Sequence, residues 1–531
     1  MTNSLEKQLF SSAAGAQWQE MGVHHHHGIC LPLFSLHSKN SCGIGEYSDL
    51  LPLIDWCHDL GLDIIQLLPL NDTGLGNSPY SALSAFALNP LHLSLSRLPQ
   101  IEQVSKYADR LKILQKENQT DRVNYDRIRD LRYTLLQEYI PLIYPEISQT
   151  QEYKLFISNN LWLKSYALFK SIKEVLKWRD WKKWPISLKS PSLQHYQELL
   201  ADFKNEINFH ITIQYFCYKQ FEEVKKKASK NKVLIKGDLP ILISRDSADV
   251  WHHRNYFLMH LSAGAPPDMY VKEGQDWGFP AYDWKELAKD KYAFWKERLR
   301  LASHLYHLYR IDHIVGFFRI WTIPQKHLPT EGAFLPADEE TWIEHGKKIM
   351  EMMLHSAPIL PIGEDLGVVP ETVKKCLRSL GICGTKMMRW ERRWESDGKF
   401  IPLCEYPPES MTTVSTHDSD TLQLWWKHFP NEAKLYSEFK GWDYKPILSL
   451  DRQAHILHDS HHSGSLFHIN LLQEYLALFP ELVSSNPGDE RINIPGKILP
   501  TNWTYRFRPS VEELIAHKEL QRKFKKILQP I

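Results

Sequence analysis

The run LYRIDHIVGFFRIW, residues 308–321, places Arg310, Asp312 and His313 within an apolar stretch that is typical of a buried strand. Burying a charge costs several kcal/mol unless the charge is paired. Because residues two apart point the same way in an extended strand, Arg310 can pair with Asp312 and keep its carboxylate ionised and oriented. An Arg-x-Asp pair is most often an ordinary ion pair, so catalysis needs support from other parts of the chain.

Two other apolar runs also end in acidic residues. LPIGEDLG ends in Glu364 and Asp365, and TTVSTHD ends in His417 and Asp418. Either pattern alone is weak, because an acidic residue at a strand end often caps the following helix. Three such patterns at the ends of predicted strands favour one shared site. Glycoside chemistry uses such a set: one carboxylate attacks the anomeric carbon, a protonated carboxyl donates to the leaving oxygen, and a third carboxylate stabilises the cationic transition state.

The elements that would position these residues alternate between short apolar runs and helical stretches. Strands that alternate with crossover helices predict a parallel sheet. Eight such units predict a closed (β/α)8 barrel of the TIM type, with the active site at the carboxyl ends of the strands. A doubly wound open sheet is the alternative. The eight runs are GICLPLFSL (28–36), DIIQLLPL (63–70), VLIKGDLPI (233–241), 308–321, LPIGEDLG (360–367), TKMMRW (385–390), TTVSTHD (412–418) and RINIPG (491–496).

Residues 72–230 interrupt this alternation. The segment is polar, rich in lysine and tryptophan, and helical in period, most clearly over residues 193–227. We therefore predict a large, mainly helical insertion after the second strand. Residues 28–71 would form the first part of the catalytic barrel, and residues 231–531 would form the remainder.

Composition and charge exclude several classes of partner. The 531 residues include 64 basic and 63 acidic side chains, for a net charge of +1, which argues against nucleic acid or an anionic membrane surface as a partner. No stretch is apolar and long enough to span a membrane, and no signal peptide is present, so we expect a cytoplasmic protein. The sequence carries no signal for the oligomeric state.

The cysteines and histidines do not form a recognisable metal motif. The seven cysteines are scattered and include no C-x-x-C pair, which indicates a reducing compartment without a disulfide framework or a structural zinc site. Four consecutive histidines occupy residues 24–27. We interpret them as a polar loop rather than as metal ligands.

Several stretches spread over residues 28 to about 508 carry a family resemblance. They are SPYSALSAFALNP (78–90), KGDLPI (236–241), GAPPD (264–268), GQDWGFPAYDW (274–284), YRIDHIVGF (309–317), IGEDLG (362–367), STHDSDT (415–421) and RINIPG (491–496). Together they resemble the amylomaltases, the 4-α-glucanotransferases of the disproportionating-enzyme family within the α-amylase clan. Some of these motifs are similar to those of the plant cytosolic branch that uses maltose, but we expect this chain to lack the N-terminal starch-binding modules of that branch.

The resemblance implies a reaction and a set of site residues. The reaction would move α-1,4-glucan segments between maltooligosaccharides by a retaining double displacement through a covalent glycosyl-aspartate, with no metal or organic cofactor. The resemblance makes Asp312 the nucleophile, Glu364 the acid/base and Asp418 the transition-state stabiliser. It further implies that Arg310 and His417 position the sugar at the cleavage point, and that Tyr80, Asp268, Trp277 and Asn493 line donor subsites.

These roles predict geometry and electrostatics that a structure can test. A retaining pair requires the carboxyl groups of Asp312 and Glu364 to lie roughly 5–5.5 Å apart. Glu364 has to be protonated in the first step, and repulsion from Asp312 and Asp418 is expected to raise its pKa. The segment GAPPDMYVKEGQDWGFP, residues 264–280, is a candidate lid that would cover the site with Tyr270 and Trp277. The alternative is a surface loop whose aromatic side chains pack on the helical insertion.

Two other functions remain open. An α-amylase-type hydrolase would use the same three acids, but amylases share a C-terminal β-sandwich, for which the stretch after Gly496 is too short. The third run also ends in GDLPI, without the Asn-His that α-amylases have there. A glycan-binding protein without catalytic activity would have no reason to keep all three acidic residues.

Overall fold

Eight parallel strands form one sheet in a computed structural model that describes residues 2–267 and 271–530. We label them in chain order. They are β1 (His26–Leu31), β2 (Ile64–Leu67), β3 (Leu234–Leu239), β4 (Leu308–Ile311), β5 (Leu360–Gly363), β6 (Gly384–Met387), β7 (Ser410–Thr413) and β8 (Phe467–Leu471).

The sheet closes into a barrel. The strand order is β5-β4-β3-β2-β1-β8-β7-β6, so each strand lies beside its neighbours in the chain. The two ends of this order meet where Ile362 of β5 bridges Cys383 in parallel, and the Gly363 N–H donates to the Cys383 carbonyl at 2.8 Å. The predicted (β/α)8 barrel is therefore confirmed, and the open doubly wound sheet is excluded.

One of the eight predicted strands is wrong. RINIPG, residues 491–496, forms a loop, and the eighth strand is FHINL, which is buried along its whole length. This strand contains His468 and Asn470, whose polar side chains hide its apolar character in the sequence. Both find partners inside the protein, since His468 Nδ1 lies 2.8 Å from the Ser460 carbonyl oxygen and the Asn470 amide donates to Ser460 Oγ at 2.8 Å.

The segment between β2 and β3 is mainly helical, as predicted. Its last helix, Lys204–Lys230, packs against β3 and against the helices on either side of it around the barrel, so the segment returns to the barrel before β3 begins. The division of the chain at residue 230 stays a prediction. The α-helices of this segment are Ser105–Lys116, Tyr125–Ile147, Gln151–Asn159, Trp162–Val175, Ile186–Lys189, Leu193–Asp202 and Lys204–Lys230.

Further helices surround the barrel. The first of them, Leu50–Leu60, buries Leu50, Ile54 and Cys57 on one face and ends at Gly61, whose φ of +84° suits a residue without a side chain. None of the helices in the described residues is apolar over a length that could cross a bilayer. The others are Ala248–His252, Trp284–Lys289, Ala293–Leu305, Glu339–Ser356, Glu371–Ser379, Leu422–His428, Pro430–Phe439, Leu450–His461, Leu472–Leu476, Val511–Ala516 and Lys518–Leu528.

The amino-terminal end of the barrel is covered by the helices Thr2–Phe10 and Gly15–Met21. Trp18 is fully buried there, packs near Phe467 of β8, and donates its indole N–H to the Gly381 carbonyl at 2.8 Å. The expectation that residues 24–27 form a polar loop is wrong in part, because His26 and His27 begin β1 and His26 is buried.

A smaller antiparallel sheet follows the carboxyl ends of β3 and β4. It shows that the run 308–321 is not one strand, because a short 3-10 helix, Ile314–Phe317, separates β4 from the second sheet. Its four strands are Leu261–Ala265, Gln275–Asp276, Ile320–Pro324 and Ala333–Leu335. A two-stranded pair joins Phe257–Leu258 to Ala281–Tyr282.

Candidate active site

A cleft of about 420 Å³ opens at the carboxyl ends of the barrel strands. Eight of the nine residues proposed from the sequence line this cleft, although they come from positions between 80 and 493. The ninth, Asp268, lies outside the described residues. The eight are Tyr80, Trp277, Arg310, Asp312, Glu364, His417, Asp418 and Asn493.

Arg310 lies at the centre of an ion-pair network. It is the third residue of β4 and lies opposite Asp238 of β3 in the parallel register. Its Nη1 donates to both carboxylate oxygens of Asp238, at 3.0 and 2.9 Å. Its Nη2 lies 2.8 Å from Asp312 Oδ1 and 3.9 Å from Glu364 Oε2. One buried guanidinium thus contacts three carboxyl groups and offsets their mutual repulsion.

The shared arginine also limits the separation of Asp312 and Glu364. Because Arg310 Nη2 contacts an oxygen of each, those two oxygens lie no farther apart than the sum of 2.8 and 3.9 Å. This limit is compatible with the spacing of roughly 5–5.5 Å that retaining glycosidases use. Both groups face the same end of the barrel, as a pair acting on one bond must.

The backbone after β4 is shaped to hold Glu364. His313 adopts φ +49°, a left-handed conformation that costs a non-glycine residue of the order of 1 kcal/mol or more. In this conformation its N–H donates to Glu364 Oε2 at 2.9 Å, while the Leu366 N–H donates to Oε1 at 3.0 Å. Each carboxyl oxygen of Glu364 is therefore fixed by one backbone donor.

The pKa of Glu364 is raised to about 7. Burial is the main cause, since the side chain is only 16% exposed, and the negative charge of Asp312 adds to it. The positive charge of Arg310 and the two backbone donors act in the opposite direction. The predicted direction is therefore confirmed, but burial rather than repulsion dominates. At neutral pH such a group exchanges a proton readily and can serve as both acid and base.

Asp418 has the opposite electrostatic environment. Burial by itself would raise its pKa, but His417, whose Nε2 lies 3.2 Å from Asp418 Oδ2, and a hydrogen bond of 2.6 Å from the Asn493 amide outweigh it and hold the pKa at about 2. The side chain of Asp418 is 44% exposed and faces the open cleft. This carboxylate is therefore charged at neutral pH.

Aromatic rings form the walls of the cleft. Tyr80 stacks on His417 with ring centroids 5.2 Å apart, and its hydroxyl donates to Asp238 at 2.7 Å. Trp277 meets His313 edge-on, with centroids 5.0 Å apart. Such rings offer flat apolar faces to a sugar, while Tyr80 also ties its wall to the ion-pair network.

Three residues of the site were missed by reasoning from the sequence. Asp238 was quoted within KGDLPI but given no role, although its place at the end of a predicted strand was a usable signal. Trp503 lines the cleft beside Tyr80, with the two ring centroids 5.6 Å apart. No local pattern in the sequence distinguishes it from a core tryptophan. Arg491 donates to the Asp418 carbonyl at 3.1 Å and pairs with Asp420, so it anchors the loop that carries Asn493.

Comparison with known proteins is consistent with this site. Residues 31–512 match the family described as 4-alpha-glucanotransferase. The chain belongs to this family. A 4-alpha-glucanotransferase of Chlamydia pneumoniae is 47% identical over 528 residues, which cover 99% of both chains. One from Chlamydia caviae is 46% identical over 96% of this chain and 95% of its own. The protein is thus a 4-alpha-glucanotransferase, which argues against both the amylase-type hydrolase and the inactive binder.

Plant relatives are more distant. A rice 4-alpha-glucanotransferase is 25% identical, and the match covers 94% of this chain and 69% of the rice protein. Short stretches of the chain are similar to plant sequences, but the chain as a whole is more similar to the chlamydial members of the 4-alpha-glucanotransferase family.

Solved structures of amylomaltases share the fold. The amylomaltase from Streptococcus agalactiae, solved in complex with acarbose, superimposes with a TM-score of 0.81 at 24% identity, over 95% of this chain and 98% of its own. The amylomaltase from Corynebacterium glutamicum gives a TM-score of 0.78 at 20% identity, over 98% and 76% of the two chains. The barrel is therefore that of the amylomaltases.

Proposed function

We propose that this 4-alpha-glucanotransferase moves α-1,4-glucan segments between maltooligosaccharides by a retaining double displacement at Asp312, Glu364 and Asp418. The observation that carries the proposal is the placement of three carboxyl groups in one cleft: Arg310 Nη2 lies 2.8 Å from Asp312 Oδ1 and 3.9 Å from Glu364 Oε2, and Asp418 lines the same cleft. The environments of Glu364 and Asp418 also separate their pKa values, to about 7 and about 2, and carboxyl groups separated in this way take different roles in acid–base catalysis.

In the first half-reaction, an Asp312 carboxylate oxygen attacks the anomeric carbon of the donor and forms a covalent ester. The bond from that carbon to the glycosidic oxygen breaks, and protonated Glu364 gives its proton to the departing 4-oxygen. Arg310 supports this step because its guanidinium, 2.8 Å from Asp312, orients the nucleophile. The permanently charged Asp418 stabilises the positive charge that develops on the sugar ring.

In the second half-reaction, the 4-hydroxyl of an acceptor glucan attacks the same carbon from the side that the leaving group vacated. Glu364, now ionised, takes the proton of that hydroxyl, and the bond to Asp312 breaks. Two inversions restore the α configuration. Arg310 and His417 would position the sugar at the cleavage point. Tyr80, Trp277 and Asn493 would line donor subsites, and Trp277 would also cover the bound sugar. Asp268 is proposed as a donor-subsite residue from the family resemblance alone.

The test is whether Asp312 carries the intermediate. Asp312→Ala should lower the release of glucose from maltotriose on the order of 1,000-fold or more, because no other group can form the ester. Azide added with α-glucosyl fluoride as donor should then restore turnover and yield β-glucosyl azide, since azide takes the place of the carboxylate. Asp443→Ala, at an exposed aspartate that does not line the cleft, is the matched control.

Chromatography of wild-type digests separates the alternatives. A ladder of longer maltooligosaccharides from maltotriose means transfer, whereas glucose and maltose alone would mean hydrolysis. An Asp312→Ala enzyme with wild-type turnover would show that the nucleophile is another residue. An azide product of α configuration would also refute the assignment, because azide must enter from the face that Asp312 occupies.

A further inference from the structure

Three potential metal ligands converge at the amino-terminal end of the barrel, opposite the cleft. His24, His26 and Asp63 each place one ligand atom so that all three atoms lie within 4.8 Å of one another. Across residues 2–267 and 271–530, no other group of three or more histidine, cysteine, aspartate or glutamate side chains meets this condition. The catalytic chemistry proposed above uses none of these three residues.

The strand register builds this cluster. His26 is the first residue of β1, and Asp63 directly precedes β2, which pairs with β1 in parallel. His26 Nδ1 lies 2.7 Å from Asp63 Oδ2, and His24 Nε2 lies 3.9 Å from the same oxygen. The rings of His24 and His26 lie with their centroids 4.0 Å apart.

Two of the three side chains are held in place, and the third is free to move. His26 is 1% exposed and stacks on Phe467, with centroids 5.0 Å apart. The second oxygen of Asp63 accepts the His27 N–H at 2.8 Å, which orients its carboxylate. His24 is 60% exposed, so it can adjust to an ion that arrives from solvent.

Contrary to the interpretation from the sequence alone, we propose that His24, His26 and Asp63 form a binding site for a divalent transition metal ion of the Zn²⁺ type. Two imidazoles and one carboxylate suit zinc and its neighbours, and three protein ligands leave a coordination position for water. In a tetrahedral site with bonds of about 2.0–2.2 Å, neighbouring ligand atoms lie farther apart than the 2.7 Å between His26 Nδ1 and Asp63 Oδ2 and closer than the 3.9 Å between His24 Nε2 and that oxygen. Binding therefore requires Asp63 to move slightly away from His26 and His24 to move towards it. The His27 N–H bond to Asp63 is the kind of outer contact that supports metal ligands.

The surroundings of His26 limit the affinity. A metal on Nδ1 displaces the hydrogen bond to Asp63 and leaves the ring proton on Nε2, which is buried and has no hydrogen-bond partner. An unsatisfied buried donor weakens binding. We therefore expect a dissociation constant in the micromolar range rather than the much tighter binding of structural zinc sites. Because Asp63 joins the two histidines only in the folded protein, Zn²⁺ should raise the melting temperature, but only modestly, since the unfolded run of histidines 24–27 also binds the ion.

The experiment uses the full chain after dialysis against a chelator. Isothermal titration with Zn²⁺ should show one site that is tighter than the background from the other histidines, and Co²⁺ should give d–d absorption bands with the same stoichiometry. His24→Ala removes an exposed ligand without disturbing the core, and Asp63→Asn removes the charge while keeping the shape. Each should weaken this site at least tenfold. His195→Ala, at a partly exposed histidine paired with Glu198, is the matched control.

The Zn²⁺ titrations can also overturn the proposal. Equal Zn²⁺ titrations for the wild type, His24→Ala and the control would show that the bound ion resides on other histidines, and would overturn the proposal. Asp63→Asn could destabilise the start of β2, so its circular dichroism and melting temperature without metal are measured first. The His24→Ala result stands independently of that check. Transfer between maltotriose molecules should not change when Zn²⁺ fills the site.

Discussion

Raising the pH should slow transfer through one group, the carboxyl of Glu364. Burial raises the pKa of this carboxyl to about 7 from an ordinary value of 4.5, a difference worth about 3 kcal/mol. The first half-reaction consumes the protonated form. Above pH 7 the value of kcat/KM should therefore fall about tenfold per pH unit, and at pH 9 it should be about one-hundredth of its plateau. With an ordinary pKa, well under 1% of Glu364 would carry a proton at pH 7.

The assay is the initial rate of glucose release from dilute maltotriose between pH 5 and 9.5. Asp418 stays ionised throughout this range, because its pKa is about 2. An α-glucosyl fluoride donor is the control, because fluoride leaves without a proton and its kcat/KM should not decline at high pH. An alkaline decline centred at pH 5 or below would refute the reasoning, and so would an identical decline with the fluoride donor.

Two further predictions concern the lid and the barrel interior. Trp277→Ala should lower transfer more than hydrolysis, because the ring covers His313 at the cleft and helps to exclude water. The ratio of free glucose to new reducing ends from maltotriose measures this difference. A proportional loss of both activities would exclude a lid. Lys236→Met should raise the melting temperature at pH 7 but not at pH 10. Burial lowers the pKa of Lys236 to about 7. Between about pH 10 and pH 7 the unfolded lysine is protonated and the folded lysine is not, so the wild type loses stability as the pH falls through this range. Equal shifts of the melting temperature at both pH values would contradict this.

Repeating local patterns predicted the barrel and the charged residues of the cleft, whereas Tyr80, Trp277 and Asn493 were named from the family resemblance alone. Charged residues that end apolar runs are costly anywhere except at an open strand end, so Arg310, Asp312 and Glu364 were visible in the sequence. The same reasoning failed for β8, because His468 and Asn470 are satisfied by partners inside the protein. A polar residue whose partner comes from elsewhere in the chain looks like a surface residue when only the sequence is known.

The role of Asp238 illustrates a second limit of prediction from the sequence. Its importance comes from the register that sets it opposite Arg310, and register depends on strand pairing rather than on local pattern. Trp503 likewise reaches the cleft only because the chain after β8 returns over the barrel. The histidines at residues 24–27 were assigned to a loop because contiguous polar residues of one kind more often form a loop, although two of them begin β1. Asp268 and Tyr270 lie outside the described residues, so their proposed positions stay predictions.

The sharing of Arg310 between Asp312 and Glu364 has a consequence for the whole catalytic cycle. In the proposed reaction, Asp312 is charged before the first step and esterified after it, whereas Glu364 is neutral before that step and charged after it. The formal charge of the pair is therefore −1 in both states, and only its location alternates. A single fixed guanidinium, 2.8 Å from one oxygen and 3.9 Å from the other, acts as counter-ion to whichever carboxylate is charged. In the proposed reaction the enzyme can thus pass between its free form and the covalent intermediate without moving an ion or reorganising the dipoles around it.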